Sequence, residues 1–211
     1  IASALISTFA FTYVQVNGLP NFLNTSVVLA VAPFILLSIG IITVTRGFSG
    51  VLAHKLHGVH AEYEIWPLGT LALLASSIFF LVPFGSSGRT VYQSVEVSKK
   101  TKALVVLSRI CLVSTLLVPF SILFMQGFET LGDSGMLLCT MTTFYSLIPV
   151  WPLDGKDLLK FNRKIWFAIF AATAIIFCGW TFRLLPSIVY LVFGIAFFSV
   201  FLTALYLGRS V

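Results

Sequence analysis

The sequence predicts an all-α polytopic membrane protein, with about six transmembrane helices and one short re-entrant or partly buried apolar segment. Three observations lead there. The 211 residues are 58% hydrophobic and only 9% charged, whereas an ordinary soluble domain carries roughly 25% charged residues. So few charges cannot cover a water-facing surface, so most of the chain must face lipid or its own interior. Apolar stretches recur near the roughly 20 residues that a helix needs to cross a hydrocarbon core of about 30 Å. The basic residues then fall almost entirely on one side of the resulting topology.

The elements follow in order. Ile1–Asn17 is the first span. Because the chain opens on isoleucine rather than methionine, residues preceding it are expected to have been removed or left out. Gly18-Leu19-Pro20-Asn21 breaks the span, and Asn24 or Thr25 can cap a helix running from Ser26 through Thr45 and on toward His57. His60–Pro67 alternates enough to form a short strand or edge. Leu68–Val82 is apolar but short, and Pro83-Phe84-Gly85-Ser86-Ser87-Gly88 ends it, a length that suits a re-entrant segment better than a crossing. Ala103–Met125, Met136–Val150, Ile165–Phe182 and Ile188–Leu207 complete the set. The whole of 1–211 reads as a single transmembrane domain.

Charge placement tests this count. With Leu68–Val82 entering and leaving on one side, Arg46, Lys55, Arg89, Lys99, Lys100, Lys102, Lys156, Lys160, Arg163, Lys164 and Arg209 share one face. Arg109, two turns into its helix, is expected to snorkel to that face. The opposite loops hold Glu129 and Asp133, with Arg183 the exception. Twelve of the 13 basic residues on one side satisfies the positive-inside rule and places both ends of the chain in the cytoplasm. The net charge of +6 is therefore a membrane-face signature and not a nucleic-acid footprint. Cys111, Cys139 and Cys178 lie inside apolar spans without CxxC spacing and read as small buried hydrophobes. The 21 Phe, 6 Tyr and 4 Trp serve packing and interfacial belts, with Trp66, Trp151 and Trp166 inner and Trp180 outer. No GxGxxG, P-loop, CxxCH or GxSxG motif is present.

Two polar clusters remain. His54, His57 and His60 close an apolar stretch, and Asp154 follows Pro149-Val150-Trp151-Pro152-Leu153. On a helix His54 and His57 share a face. As helix-end histidines they gain from the C-terminal dipole, but an ionisable residue within a membrane is also a functional candidate, His54 above all. Asp154-Gly155 is good turn chemistry, and Asp154 can cap a helix at 156–161; it is equally a carboxylate ligand at the membrane boundary.

Val51-Leu52-Ala53-His54-Lys55, Gly58-Val59-His60-Ala61-Glu62-Tyr63 and Trp66-Pro67-Leu68-Gly69, followed by Ile148-Pro149-Val150-Trp151-Pro152-Leu153-Asp154-Gly155, resemble archaeal members of the site-2 protease family, which are intramembrane zinc metallopeptidases. The resemblance implies a core over about 26–166, with 1–17, 165–182 and 188–207 as extra helices. It also implies an active site built from an HExxH helix and the aspartate of a proline-flanked LDG motif. On that pattern Gly50 stands at the first zinc-binding histidine and Val51 at the general-base glutamate. Ser146 stands where the family usually has an asparagine, and Ala103–Ile110 has no counterpart of its Gly-Pro motif. HExxH chemistry needs both histidines for zinc and the glutamate to deprotonate water. Glycine carries no ligand and valine takes no proton.

The expectation is thus a catalytically inactive site-2-protease-like membrane protein that is not an enzyme. His54, Asp154 and His57 would be a vestigial metal set, with Glu62 near in sequence, and no cofactor is expected although zinc is the metal such a set would take. The expected role is that of an accessory or structural subunit of a larger membrane complex. Its partners would be other integral membrane proteins on lipid-facing helix faces, through small-residue stretches such as Ser38 and Gly40 or Ala171–Ala174, together with lipids and no nucleic acid. The alternatives are an active zinc protease with a rearranged site, a transporter or channel subunit, which the scarcity of intramembrane charge disfavours, and an unrelated assembly factor.

Overall fold

The computed structural model describes residues 2–57, 61–81, 83–84, 88–92, 97–150 and 153–209, with the side chains of 52–57, 61, 63, 90 and 204–209 outside the description. Among the described residues the chain is mostly helical. It opens with α1 (Ala2–Gln15), the short α2 (Leu19–Phe22) and the long α3 (Thr25–His57). Strand β1 (Ala61–Ile65), α4 (Pro67–Phe80) and strand β2 (Gly88–Tyr92) follow. Then come α5 (Lys99–Thr115), α6 (Leu117–Met125), α7 (Glu129–Ser146), α8 (Gly155–Phe161), α9 (Arg163–Thr181) and α10 (Ser187–Arg209).

The break after α1 turns on two consecutive left-handed residues, Asn17 (φ 59°) and Gly18 (φ 87°), where glycine carries no Cβ penalty. Asn24 caps α3: its Oδ1 accepts from the Ser26 N–H at 3.2 Å. The strand expected near 60–67 is present as β1, but its antiparallel partner β2 is not foreshadowed by any alternation in the sequence. The register sets Glu64 opposite Arg89, and their charged groups lie 4.0 Å apart.

The expected span Ala103–Met125 lies within one long apolar stretch, Lys99–Met125, built from α5 and α6 with a break at Leu116. Pro119 has no N–H to return to the Thr115 carbonyl, so the chain tightens there, Leu116 N–H bonding to Val113 O at 3.1 Å. One expected boundary needs correction: the helix expected from Met136 begins instead at Glu129, which moves Glu129 and Asp133 from a loop onto the first turns of α7. Helix N-termini favour such acids.

The reason the first turns of α7 do not read as part of a span is also the reason they matter. The helix packs against α3, α5, α6 and α9 and is buried along most of its length, including Gly132, Ser134, Gly135, Cys139, Thr140 and Thr143. A helix surrounded by protein need not be lipophilic. Its glycines let α6 approach: a Cβ at Gly132 would lie 2.6 Å from the Phe124 backbone nitrogen, and one at Gly135 would collide with a Phe120 ring carbon. Ile35, Ile39 and Ile42 of α3, Leu73 of α4, Leu117 and Phe120 of α6, and Leu137 and Met141 of α7 share one apolar core with Ala10 and Phe11 of α1. A second cluster joins α5, α8 and α10 through Val106, Ile110, Leu158, Phe197 and Phe201.

Among the described residues three helical stretches are long and apolar enough to cross a membrane: Thr25–Val51, Lys99–Met125 and Arg163–Thr181; Pro67–Phe80 and Ser187–Thr203 are shorter apolar helices. The exposed surface is correspondingly apolar, with Leu29, Val44, Phe79, Phe80, Phe167 and Ile175 each more than half exposed. This is compatible with a membrane location.

Candidate functional site: a buried arginine–aspartate pair

Asp154 leaves the end of α7 through a tight turn and opens α8. Gly155 is required there because a Cβ would run into the Leu147 carbonyl and come within 2.8 Å of the Ile148 carbonyl oxygen. The turn is stitched by Leu153 N–H to Val150 O at 2.7 Å and Asp157 N–H to Asp154 O at 3.1 Å. The expected helix cap by the Asp154 carboxylate is not made. The carboxylate has a stronger partner: Arg109 Nη1 of α5 donates to Asp154 Oδ2 at 3.2 Å.

Arg109 is buried beside a carboxylate partner, which was not expected from the sequence. It is 3% exposed, and its charge turns into the bundle because a carboxylate waits there. Its Nε donates to Ser49 Oγ of α3 at 3.2 Å. Ser49 in turn donates to the Arg46 carbonyl at 2.6 Å, so one hydroxyl serves as donor and acceptor. A turn back along α3, Arg46 Nη2 donates to Ser146 Oγ at 3.4 Å, and Ser146 donates to Thr142 O at 2.7 Å. A polar chain therefore ties α3, α5, α7 and the α8 turn together inside the bundle.

The half-buried Tyr92 of β2 lies near the pair, and burial first, then the Asp154 charge, push its phenol well above the ordinary tyrosine range. Lys102 sits over the Tyr92 ring, 5.3 Å from its centroid. Asp157, one turn into α8, is also pushed upward, by burial and to a lesser degree by Asp154, against the opposing pull of Lys102, Lys160 and Lys156.

The sequence-derived site residues fare unequally. Asp154 and Ser146 belong to the polar chain just described. Gly50 is half-buried on α3, whereas Val51 is 54% exposed and so turns toward the outside of the bundle. His54 and His57 lie on the last turns of α3, but their side chains, like all of His60, are outside the described residues. Glu62 is exposed on β1. Among the described residues no group of three His, Cys, Asp or Glu side chains gathers to hold a metal. Sequence reasoning missed Ser49, Tyr92 and the inward turn of Arg109. The last had a signal: Ala103–Met125 contains one charge and no acid, and an unpaired intramembrane charge implies a partner on another segment.

Elsewhere, a cavity of about one water's size is lined by Ser114, Leu117, Thr140, Thr143, Thr173, Ile176 and Phe193. Its threonine hydroxyls bond back to their own helices, as Thr140 does to Met136 O and Thr143 to Cys139 O, and no ionisable group lines it. On the side of the molecule bearing the α9–α10 turn, Arg183 grips Asp133 through both guanidinium nitrogens at 2.6 and 2.9 Å and lies over the Trp180 ring, so the basic residue that broke the charge asymmetry is held by an acid. Compared with protein-family models, curated proteins and solved structures, the chain finds no match.

Proposed function

We propose that this chain is a catalytically inactive, site-2-protease-like membrane protein that serves as an accessory or structural subunit of a larger membrane assembly. In this reading α1, α7 and α10 join the three long apolar stretches to make six crossings, α4 is the re-entrant element, and the Asp154 end faces the cytoplasm. The observation that carries the proposal is the Arg109–Asp154 contact at 3.2 Å. An aspartate that elsewhere would ligate a dication is here matched by a fixed monocation from a neighbouring helix. A zinc ion beside that guanidinium would meet like-charge repulsion in a medium of low dielectric. Gly50 and Val51 support the same reading, since neither side chain supplies a ligand or a base. The extensive apolar exterior and the absence of a soluble domain among the described residues leave helix faces as the surface for partners.

The test is purification of the full chain in mild detergent without chelator. Zinc well below one per chain, and elution with co-purifying membrane proteins, are the expected results. One zinc per chain together with cleavage of a helical substrate would refute the inactive reading. A free monomer in good yield would refute the subunit role.

A further inference from the structure

We propose that the end of the bundle where α5 and α9 begin is a binding surface for anionic lipid headgroups. Three segments distant in sequence bring their charge to this place. Lys99, Lys100 and Lys102 form the first turn of α5, Lys156 and Lys160 lie on α8, and Arg163 and Lys164 open α9. Helix α8 packs against both α5 and α9, and the Arg109–Asp154 contact pins its start to α5. Lys99, Lys100, Lys160, Arg163 and Lys164 are exposed. Within 99–102 and 155–164 the acid facing them is Asp157, half-buried at their base.

Such crowding of like charge is unfavourable unless an anion meets it. Its position says which anion. Both helices that start here belong to stretches long and apolar enough to cross a membrane, Lys99–Met125 and Arg163–Thr181, so a bilayer around them sets its phosphates at this level. Clusters of basic residues next to a transmembrane helix attract anionic headgroups. Trp166, one turn into α9, adds an amphipathic ring at the same height, with its Nε1 donating to Leu147 O at 2.9 Å. The helix N-termini are not the binding groups: Ser98 accepts from Thr101 N–H, and Asn162 from Lys164 and Ile165 N–H. The side chains hold the headgroup.

The surface rests on the membrane reading, and the experiment separates the two. The full chain is reconstituted in phosphatidylcholine bilayers carrying a trace of spin-labelled phosphatidylglycerol or, in parallel, spin-labelled phosphatidylcholine. At low salt the anionic label should be immobilised at the protein about fivefold or more in preference to the zwitterionic one, and near 1 M salt the preference should fall toward one. The variant K99Q/K100Q/R163Q/K164Q, verified to unfold at the wild-type temperature, should lose it; Lys102 is spared because it packs on Tyr92. Equal immobilisation of the two labels by the wild type, or a preference intact in the fourfold variant, overturns the proposal. Loss of the preference on adding inorganic phosphate at constant ionic strength overturns it in favour of a soluble anion. A chain that washes off the vesicles in alkaline carbonate and immobilises neither label overturns the membrane reading itself.

Discussion

Replacing Arg109 by methionine tests the polar chain at its centre. The substitution keeps a long unbranched side chain but removes the cation from Asp154, whose side chain is 12% exposed, and leaves Ser49 without the N–H it accepts. Breaking a buried ion pair from one side costs about 3–5 kcal/mol, because the surviving charge keeps its desolvation penalty and loses its compensation. For a chain of this size that is a fall in Tm on the order of 10 °C. Asp154→Leu alone should cost a comparable amount by taking the carboxylate from the buried guanidinium. The double replacement R109M/D154L removes both charges and should recover most of the loss, since an apolar pair of similar volume is often neutral or better.

The chain supplies its own reporter for this cycle. Cys111 and Cys139 are buried, and Cys111 lies two residues from Arg109, while Cys178 is exposed. In a Cys178→Ser background a thiol-reactive fluorophore reports unfolding in detergent as the buried thiols emerge. A single R109M cost under about 1 kcal/mol would refute the argument, because the pair would then be no better than an exposed one. So would a double variant as unstable as the two single losses added together, for the two side chains would then act independently.

Further outcomes follow from the same contacts. Gly132→Ala should destabilise by about 1–3 kcal/mol, since its new methyl meets the Phe124 backbone and not a movable side chain; Gly47→Ala, with open space around it, should be neutral or mildly stabilising in the same thiol assay. Asp157 binds its proton more tightly folded than unfolded, so its ionisation opposes folding: stability should fall as pH rises from the ordinary aspartate value through the raised folded one, then level off. Asp157→Asn should remove that slope from the pH dependence of Tm. Arg183→Ala breaks an exposed, bidentate contact with Asp133 and should cost only about 0.2–1 kcal/mol, an effect that shrinks in high salt.

Much of the architecture was legible because the strongest signals are compositional. Low charge and long apolar runs announce a membrane-compatible helical body, and Gly18, Asn24 and the Pro83 region mark its breaks correctly. What was not legible depended on contacts between distant segments. The start of α7 was missed because Gly132, Ser134 and Gly135 lower its apolar content, and only the proximity of Phe120 and Phe124 explains why those residues are there. Strand β2 lacks an alternating pattern and exists through its register with β1. At the site, spacing gave Asp154 two equal readings, a helix cap or a ligand. The structure leaves the cap unmade and gives the carboxylate a partner that spacing could not show, 45 positions away on α5.

That pairing changes what loss of catalysis would mean for such a scaffold. A zinc site in a bilayer is a set of polar groups whose cost of burial is offset by the metal. If Gly50 and Val51 replaced a ligand and a base, the remaining aspartate would be a buried charge with nothing to balance it, a defect worth several kcal/mol. A guanidinium from a neighbouring helix repairs that defect permanently. It cannot dissociate, needs no particular coordination geometry, and binds at two of its nitrogens, joining Asp154 to Ser49. On the proposed reading, the guanidinium would take over a metal's part in holding α3, α5 and the α8 turn together, without supplying Lewis acidity. Selection for a stable scaffold alone would hold Arg109 and Asp154 together as a pair. In any related chain, an acid at the position of Asp154 without a base at that of Arg109 should coincide with restored histidine and glutamate at the positions of Gly50 and Val51.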